Sequence, residues 1–211
     1  MSEHKKDEKP LTQRERALKG LIFDGIDPEL LELKHRARML CKEYNSLDEW
    51  DERRTQIVKE LLGSKGESVI FQGPVNFSFG CNTYIGEKFY ANYNLTVMDD
   101  NKVTIGDHVL FGPNVSIMAA SHPLVASERE QVTYPDGHKS IAEVAEPITI
   151  GNNVWLGCGV IVTGGVTIGD GAVIGAGSVV THDIPAHHLA CGVPCKVIRE
   201  ITEKDSLLHL L

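Results

Sequence analysis

The chain lacks several features that would assign it to common classes of protein. No run of apolar residues among its 211 positions is long enough to span a membrane. The charged start, MSEHKKDEKP, is followed by no apolar signal core, so the sequence predicts a cytoplasmic protein. The formal net charge of -8 argues against a nucleic-acid binder, because neutralising phosphates requires an excess of basic groups.

The motifs of several enzyme classes are missing as well. The sequence contains no GxSxG, no P-loop and no Rossmann fingerprint, and its glycine clusters lack the strand-to-helix context of a nucleotide cradle. Its cysteines form no CxxC pair and are scattered, at Cys41, Cys81, Cys158, Cys191 and Cys195. This pattern favours neither disulfides nor zinc, so we expect reduced packing residues and no metal site.

What the sequence does contain is a six-residue repeat. From Ile150 to Val180 an aliphatic residue occupies every sixth position, and glycine follows most of these residues. A helix would space its apolar residues by about 3.6 positions, and an amphipathic strand would alternate them. A period of six corresponds to one side of a three-sided prism, with three repeats in each turn, and predicts a parallel β-helix.

The same step occurs earlier in the chain, with interruptions. It joins Phe79, Ile85, Ala91 and Val97, pauses for two extra residues, and resumes at Ile105, Phe111 and Ile117. The stretch between Ile117 and Ile150 has no such period and is rich in polar and charged residues. A long loop that leaves a regular solenoid is usually functional or disordered. The repeats suffice for about five coils.

The chain therefore divides into predicted segments, as follows. We expect a disordered tail over 1–10, an N-terminal helical cap over 11–63, the β-helix over 64–185 with an excursion loop at about 118–147, and a C-terminal extension over 186–211.

Two helix starts are predicted inside the cap. Asp27 followed by Pro28 combines an N-cap residue with proline at the first helical position. Ser46 and Glu49 have the spacing of a capping box, which would place Trp50 inside the next helix.

One histidine stands apart from the others by its position. His122 lies in AASHPL, where the repeat breaks into the long loop, and loops held by a rigid scaffold concentrate catalytic groups. A neutral imidazole can take a proton from a hydroxyl, so His122 is a candidate base, with a loop-anchoring hydrogen bond as the alternative. Asn92, at a corner of the coil, is a second candidate, although asparagine also serves corners structurally.

Other polar and aromatic residues admit two interpretations each. Asp99 and Asp100, at the interruption of the repeat, are turn formers or acceptors for sugar hydroxyls. Trp155 points outward from a flat face and suits stacking or an interface. Lys196 and Arg199 form a small basic pair, which is solvated surface or an anchor for phosphates.

Several stretches together resemble the hexapeptide-repeat sugar O-acetyltransferases, and most of all the galactoside and maltose acetyltransferase group. They are FYANYNLTVMDDNKVTIGDHVLFGPNVSI, ASHPL, PITIGNNVWLG, GVTIGDGAVIGAGSVVT and DIPAHHLACGVPCKVIREI, and the similarity runs from about residue 12 to about 203. The resemblance implies a mainly β protein, a left-handed parallel β-helix, assembled as a homotrimer with sites between subunits. It also implies transfer of acetyl from acetyl-CoA to a sugar hydroxyl, with no metal.

The same resemblance implies roles for individual residues. His122 would be the base that deprotonates the sugar hydroxyl for direct attack on the thioester. Asn92, Ser78 and Asp100 match acceptor contacts. The positions that line the donor groove are matched by Trp155, Cys158, Ala176, Thr181, His182, Lys196 and Arg199.

The chain departs from the family at some of these positions. The family often has lysine where this chain has His182, a small residue in place of Cys158, and arginine in place of Lys196, which lacks the bidentate fork. The loop from His122 to Pro147 is about nine residues longer than in close members, and we expect it to shape acceptor specificity. The family's acidic sugar contact near residues 23–27 is left unassigned.

Three alternatives remain open at this point. A protein of the same fold can acylate an amino sugar or a small antibiotic, since fold alone does not determine the acceptor. A non-catalytic solenoid for assembly is the second. The zinc carbonic anhydrases with this solenoid need three converging histidines, and only His122 and His138 lie near the centre of this chain, without the expected spacing.

Overall fold

The computed structural model describes residues 10–211. The predicted disordered tail therefore lies outside the described residues, apart from Pro10. Within the described part of the chain, no helix combines the length and the apolar composition that crossing a membrane requires.

From residue 10 onward, three helices precede the solenoid: α1 Gln13–Leu18, α2 Pro28–Ser46 and α3 Glu52–Leu61. The predicted start of α2 is confirmed. The Asp27 side chain accepts a hydrogen bond from the Glu29 N–H at 3.0 Å, and Pro28 takes the first helical position.

The predicted capping box at Ser46 and Glu49 is wrong. Helix α2 continues through Ser46, and Asp51 is the N-cap of α3, since its carboxylate accepts from the Arg53 N–H at 2.8 Å. Trp50 consequently lies before the helix and is 84% exposed. Aspartate caps helices as well as serine does, and here the aspartate directly precedes the helical residues.

The solenoid places one short strand on each of three sides per turn. The first three coils consist of β1 Ser64–Lys65, β2 Val69–Phe71, β3 Val75–Phe77, β4 Thr83–Ile85, β5 Phe89–Ala91, β6 Leu95–Met98, β7 Val103–Ile105, β8 Leu110–Phe111 and β9 Ser116–Met118.

An excursion then leaves the prism before two further coils. It contains β10 Ala120–Ser121, α4 Ala126–Glu130, β11 Val132–Thr133, β12 Lys139–Ser140 and β13 Val144–Ala145. Strand β10 pairs antiparallel with β13, and β11 pairs antiparallel with β12. The next coils and the C-terminal strands are β14 Ile148–Ile150, β15 Trp155–Leu156, β16 Ile161–Thr163, β17 Thr167–Ile168, β18 Val173–Ile174, β19 Val179–Val180, β20 His188–Cys191 and β21 Lys196–Glu200.

These strands form three long sheets, one for each side of the prism. Sheet 1 has the order β1-β4-β7-β14-β17, sheet 2 the order β2-β5-β8-β15-β18-β20-β21, and sheet 3 the order β3-β6-β9-β16-β19. All of their pairings are parallel except the last, between β20 and β21. An isolated bridge between Ile168 and Ile184 begins a sixth, incomplete turn.

The number of residues in a turn falls along the solenoid. Ser64 pairs with Tyr84, 20 positions later, whereas Thr149 pairs with Thr167, 18 positions later. The early turns thus carry two extra residues, at the corner that leads from sheet 3 back to sheet 1.

The expectation that Phe79 belongs to the regular step is wrong. Phe77 is the residue that pairs with Val97, and Phe79 packs instead in a separate cluster with Phe23. The corner between Phe77 and Ile85 contains two extra residues. A count of six back from Ile85 therefore reaches Phe79 instead of Phe77.

The interior of the prism is filled by the residues at the six-residue positions. In the early coils aromatic rings meet edge to face, with 5.0 Å between the ring centroids of Phe89 and Phe111. In the later coils the same positions hold Ile150, Leu156 and Val162, all fully buried. Burying each such side chain contributes about 1.5–3 kcal/mol.

Helices α2 and α3 close the open end of this interior. The Tyr44 hydroxyl donates to the Phe71 carbonyl at 2.6 Å. The Asn45 side-chain amide accepts from the Val75 N–H at 2.8 Å and donates to the Val75 carbonyl at 2.9 Å. It thus replaces the backbone of a neighbouring strand as the hydrogen-bond partner of Val75. The first coil therefore has partners for its outermost backbone groups.

Candidate active site

Two corners of the prism carry the polar residues singled out by the sequence. We call the corner between sheets 2 and 3 edge A, and the corner between sheets 3 and 1 edge B. Ser78 follows β3, Asp100 follows β6, and His122 follows β9 and β10, so all three occupy edge B in successive coils. Neighbouring coils lie about 4.8 Å apart, so these residues follow one another along the same corner of the prism.

His122 is exposed at the point where the chain leaves the prism. Its ring Nδ1 lies 3.4 Å from the Ala142 carbonyl, across the β10–β13 pair. Donation from Nδ1 to that carbonyl leaves Nε2 as the basic nitrogen, with no protein partner within residues 10–211. The loop-anchoring contact and the role of a base, which the sequence offered as alternatives, are thus compatible in one imidazole.

A cavity of about 510 Å³ reaches Ser121, the residue that precedes this histidine. It is lined by backbone and side chains of the β9–β10 segment, of β13 and of the neighbouring coil, among them Ser121, Ala145 and Thr163. The pocket therefore opens between the third and fourth coils, at the same corner as His122.

Asp99 is a structural residue, unlike its neighbour. Its side chain is fully buried and accepts hydrogen bonds from the N–H groups of Phe79, Gly80 and Asn82 and from the Thr83 hydroxyl, at 2.8–3.2 Å. Burial raises the pKa of Asp99, and the hydrogen bonds from Phe79 and Gly80 oppose that rise. All four contacts are donors, which requires acceptor oxygens on the aspartate.

The Asp100 carboxylate lies in a different environment, in which the described residues do not satisfy all of its hydrogen-bonding capacity. One oxygen lies 3.6 Å from the Lys34 ammonium of α2, and the other is buried without a hydrogen-bond partner among the described residues. Burial raises the pKa of Asp100, and the charge of Lys34 opposes this. Lys34 and Ser78 also line a cavity of about 320 Å³, so a polar ligand at edge B would meet these groups.

Asn92 lies on the other corner, edge A. It follows β5, and its backbone N–H donates to the Phe111 carbonyl of the next coil. The chain crosses sheet 3 from Asn92 to Met98 in six steps, a distance of up to roughly 20 Å at the rise of an extended strand. A single chain therefore does not bring Asn92 to His122.

The predicted donor residues divide between the same two corners. Cys158 and Ala176 are exposed on edge A in adjacent coils, where the Gly177 N–H donates to the Cys158 carbonyl at 2.8 Å. Thr181 lies on edge B, with its hydroxyl 3.0 Å from Nδ1 of His182.

Trp155 lies on the outer face of sheet 2, where it is 53% exposed. In the adjacent coil its neighbour in register is Leu110, and Ile70 continues the row, both about half exposed. The outward residues of sheet 1 are in contrast mostly serine and threonine. Sheet 2 thus presents an apolar stripe of the kind that marks a binding surface.

Lys196 and Arg199 lie on the exposed edge strand β21. The Arg199 guanidinium makes a bidentate ion pair with Asp205, at 2.6 and 2.8 Å. The pair lowers the pKa of Asp205 to about 2 and raises that of Arg199. Arg199 is thereby held in one orientation at the end of the solenoid.

Sequence reasoning missed a cluster in the excursion. Asp24 is buried, and its carboxylate accepts from the Ser140 hydroxyl at 2.7 Å and lies 3.3 Å from Nε2 of His138. His138 also contacts Asp136 at 2.6 Å and stacks on Tyr134, with 4.5 Å between centroids. The only sequence signal for this contact was the acidic FDGID segment, whose partners lie more than a hundred residues away.

The described residues contain no group of three His, Cys, Asp or Glu side chains that is arranged to hold a metal ion. All five cysteines are free thiols.

Comparison with known proteins identifies the class of this solenoid. Residues 16–66 match the family model of the maltose acetyltransferase hexapeptide capping motif, and residues 147–182 match that of the bacterial transferase hexapeptide repeat. The capping model covers the helices that close the prism, and the repeat model covers the two most regular coils. The chain is a hexapeptide-repeat transferase.

Similar proteins of known sequence and structure narrow this class. The galactoside O-acetyltransferase of Escherichia coli is 45% identical over 197 residues, which are 93% of this chain and 92% of that protein. The structure of a galactoside acetyltransferase in complex with coenzyme A has a TM-score of 0.85 and 44% identity, covering 93% of this chain and 94% of that one. A maltose O-acetyltransferase from Clostridium difficile has a TM-score of 0.83 and 39% identity, covering 92% and 99%.

The chain belongs to the galactoside and maltose O-acetyltransferase family. The resemblance found in the sequence and the predicted left-handed parallel β-helix are both confirmed. The assigned roles of individual residues remain predictions.

Proposed function

We propose that this protein transfers the acetyl group of acetyl-CoA to a hydroxyl of a sugar or glycoside, with His122 as the general base. The observation that supports the proposal most directly is the His122 geometry. Its Nδ1 is engaged by the Ala142 carbonyl, and its other nitrogen has no hydrogen-bond partner among the described residues, at the corner that also carries Ser78 and Asp100. The relatives' acetyltransferase names and the coenzyme A complex support the donor and the type of acceptor.

The reaction needs two proton transfers, one from the acceptor hydroxyl to His122 and one from His122 to the leaving thiolate. Nε2 of His122 takes the proton of the acceptor hydroxyl as its oxygen attacks the thioester carbonyl, and the carbon–sulfur bond breaks as the tetrahedral intermediate collapses. The imidazolium then returns the proton to the leaving thiolate, giving free CoA and the acetylated acceptor. A positioned base of this kind contributes roughly 10²–10⁴-fold in rate.

The acceptor is held at edge B below the base. Asp100 has a buried oxygen that accepts no hydrogen bond from the described residues, and a hydroxyl donor is the partner that such an oxygen lacks. Ser78 lies one coil away and can donate or accept. Lys34 fixes the Asp100 carboxylate from the side of α2.

The division of the site between two corners supports a homotrimer. Asn92, Cys158 and Ala176 lie on edge A, whereas Ser78, His122 and Thr181 lie on edge B. Both the acceptor set and the donor set are complete only if edge A of one copy faces edge B of another. Contacts between two different surfaces close into a ring, and three copies of a three-sided prism satisfy that closure.

The donor occupies the groove between these two edges, along the regular coils. Cys158, Ala176 and Thr181 line its length, and Trp155 borders it on sheet 2. Lys196, Arg199 and His182, near the end of the solenoid, provide cationic or polar partners for the phosphates.

The test is an assay of CoA release with acetyl-CoA and a panel of galactosides, maltose, glucose, an amino sugar and an aminoglycoside. We expect turnover with a hydroxyl acceptor and a loss of roughly 10²–10⁴-fold in kcat for His122→Ala, with His35→Ala, an exposed histidine of α2, as the matched control. Full turnover by His122→Ala would refute the mechanism, and turnover confined to amine acceptors would refute the acceptor class. Sedimentation of the protein as a monomer would refute the shared site.

A further inference from the structure

The excursion carries a cluster that the proposed chemistry does not use. Its centre is His138, at the turn of the β11–β12 hairpin, which lies between two carboxylates. Nδ1 is 2.6 Å from Asp136 of the same hairpin, and Nε2 is 3.3 Å from Asp24 of the segment between α1 and α2. The hairpin is thereby joined to a part of the chain more than a hundred positions away.

Further contacts hold the hairpin against that segment. Ser140 donates to the Asp24 carboxylate at 2.7 Å. Phe23 and Glu143 exchange two backbone hydrogen bonds of 3.0 Å, and the Tyr134 hydroxyl donates to the Ile141 carbonyl at 2.8 Å. Hydrogen bonds therefore hold Ser140, Ile141 and Glu143, the residues on either side of Ala142.

Ala142 supplies the carbonyl that contacts His122. Its own side chain is buried and contributes no polar group, so the position of this carbonyl depends on its fastened neighbours. We infer that His138, together with Asp24 and Ser140, is a positioning cluster that holds the Ala142 carbonyl against His122 and so orients the catalytic imidazole. This inference rests on the proposed role of His122 as the base.

The charge on His138 decides how firmly the cluster holds. The groups that face its ring are Asp136, Asp24 and the stacked Tyr134, with the Arg16 guanidinium 6.0 Å from the Tyr134 ring. The Asp136 carboxylate in the first place, and Asp24 after it, raise the pKa of His138 above the ordinary value of 6.5.

The sign of the pH effect follows from this direction. Because the folded-state pKa is raised, the stabilisation is fully present below 6.5 and is lost as the pH rises through the raised value. The hairpin should accordingly loosen in mildly alkaline solution, while the hydrogen bond from Ser140 to Asp24 remains.

The experiment compares the purified wild-type oligomer with His138→Ala, His138→Arg and the control His35→Ala. Amide hydrogen exchange of residues 140–145, corrected for the intrinsic pH dependence, is measured between pH 6 and pH 9, together with kcat and KM. For the wild type we expect protection to fall about fivefold over this range, the size typical of an exposed charge pair.

The two variants should respond in opposite ways. His138→Ala should show at every pH the lower protection that the wild type reaches only at alkaline pH, and at acidic pH it should lower kcat about fivefold at unchanged KM for acetyl-CoA, because only the orientation of the base is impaired. His138→Arg keeps a permanent charge between the carboxylates, so its protection should no longer fall at alkaline pH.

The outcomes separate this inference from the proposed function. If His122→Ala loses turnover while exchange and kcat of His138→Ala match those of His35→Ala, the positioning cluster is refuted and the base is not. If His122→Ala keeps full turnover, the proposed function fails, and exchange alone then reports whether His138 fastens the hairpin.

Discussion

Replacing Asp99 with alanine should destabilise the protein more than replacing its neighbour Asp100 with asparagine. The substitution removes the acceptor of four hydrogen bonds and leaves the N–H groups of Phe79, Gly80 and Asn82 buried without partners. Each unpaired buried donor costs about 1–3 kcal/mol, and water that enters the space recovers part of this. We therefore expect a loss of about 3–6 kcal/mol in the free energy of unfolding.

The measurement is urea unfolding followed by circular dichroism and tryptophan fluorescence at one fixed protein concentration, since an oligomer's stability depends on concentration. The control is Asp100→Asn, which keeps the shape of the side chain and should cost less than Asp99→Ala, because Lys34 keeps Glu143 as a second partner at 3.6 Å, while it raises KM for the acceptor. If Asp99→Ala unfolds within about 1 kcal/mol of the wild type, the corner is not stabilised by this carboxylate and the reasoning is wrong.

Two further substitutions test the cap and the donor groove. Asn45→Ala leaves both backbone groups of Val75 unpaired at the end of the solenoid and should cost about 2–4 kcal/mol in urea unfolding, so an unchanged midpoint would show that the cap does not need this amide. Arg199→Lys removes the bidentate fork and should raise KM for acetyl-CoA about tenfold with kcat unchanged in steady-state kinetics, whereas an unchanged KM would place the phosphates elsewhere.

The sequence predicted the regular part of the fold because the repeat is strict there. From Ile150 onward every predicted interior position is buried, since a period of six leaves no other way to enclose the aliphatic residues. It failed at Phe79 because the corners of the early coils carry two extra residues, and a count in sixes does not register where they are inserted. The capping box at Ser46 failed because two capping signals compete within five residues and Asp51 directly precedes the helix.

The candidate site was only partly predictable, for a different reason. His122 stands where a repeat ends, which is a local signal in the sequence. The contacts of Asp24 with Ser140 and His138 join segments that are far apart in the chain, and neither segment has a sequence pattern that identifies the other as its partner. Lys34 was likewise missed, because on an amphipathic helix a lysine near the apolar face is indistinguishable from a solvated one until the partner Asp100 is known.

The irregularities of the repeat coincide with the proposed acceptor site, and the regular coils coincide with the proposed donor groove. Ser78 and Asp100 each lie at a corner of edge B that has two extra residues, and His122 lies where the excursion starts. Such corners have room to turn polar side chains away from the stack, as the ring of donors around Asp99 shows. Cys158 and Ala176 lie instead at corners without insertions, where glycine lets successive coils approach closely and the edge stays smooth. The extended thioester arm of the donor fits an edge without protruding side chains, and a sugar fits a recess lined by polar groups. Relatives that differ in acceptor should therefore differ in the insertions of edge B rather than in the regular coils.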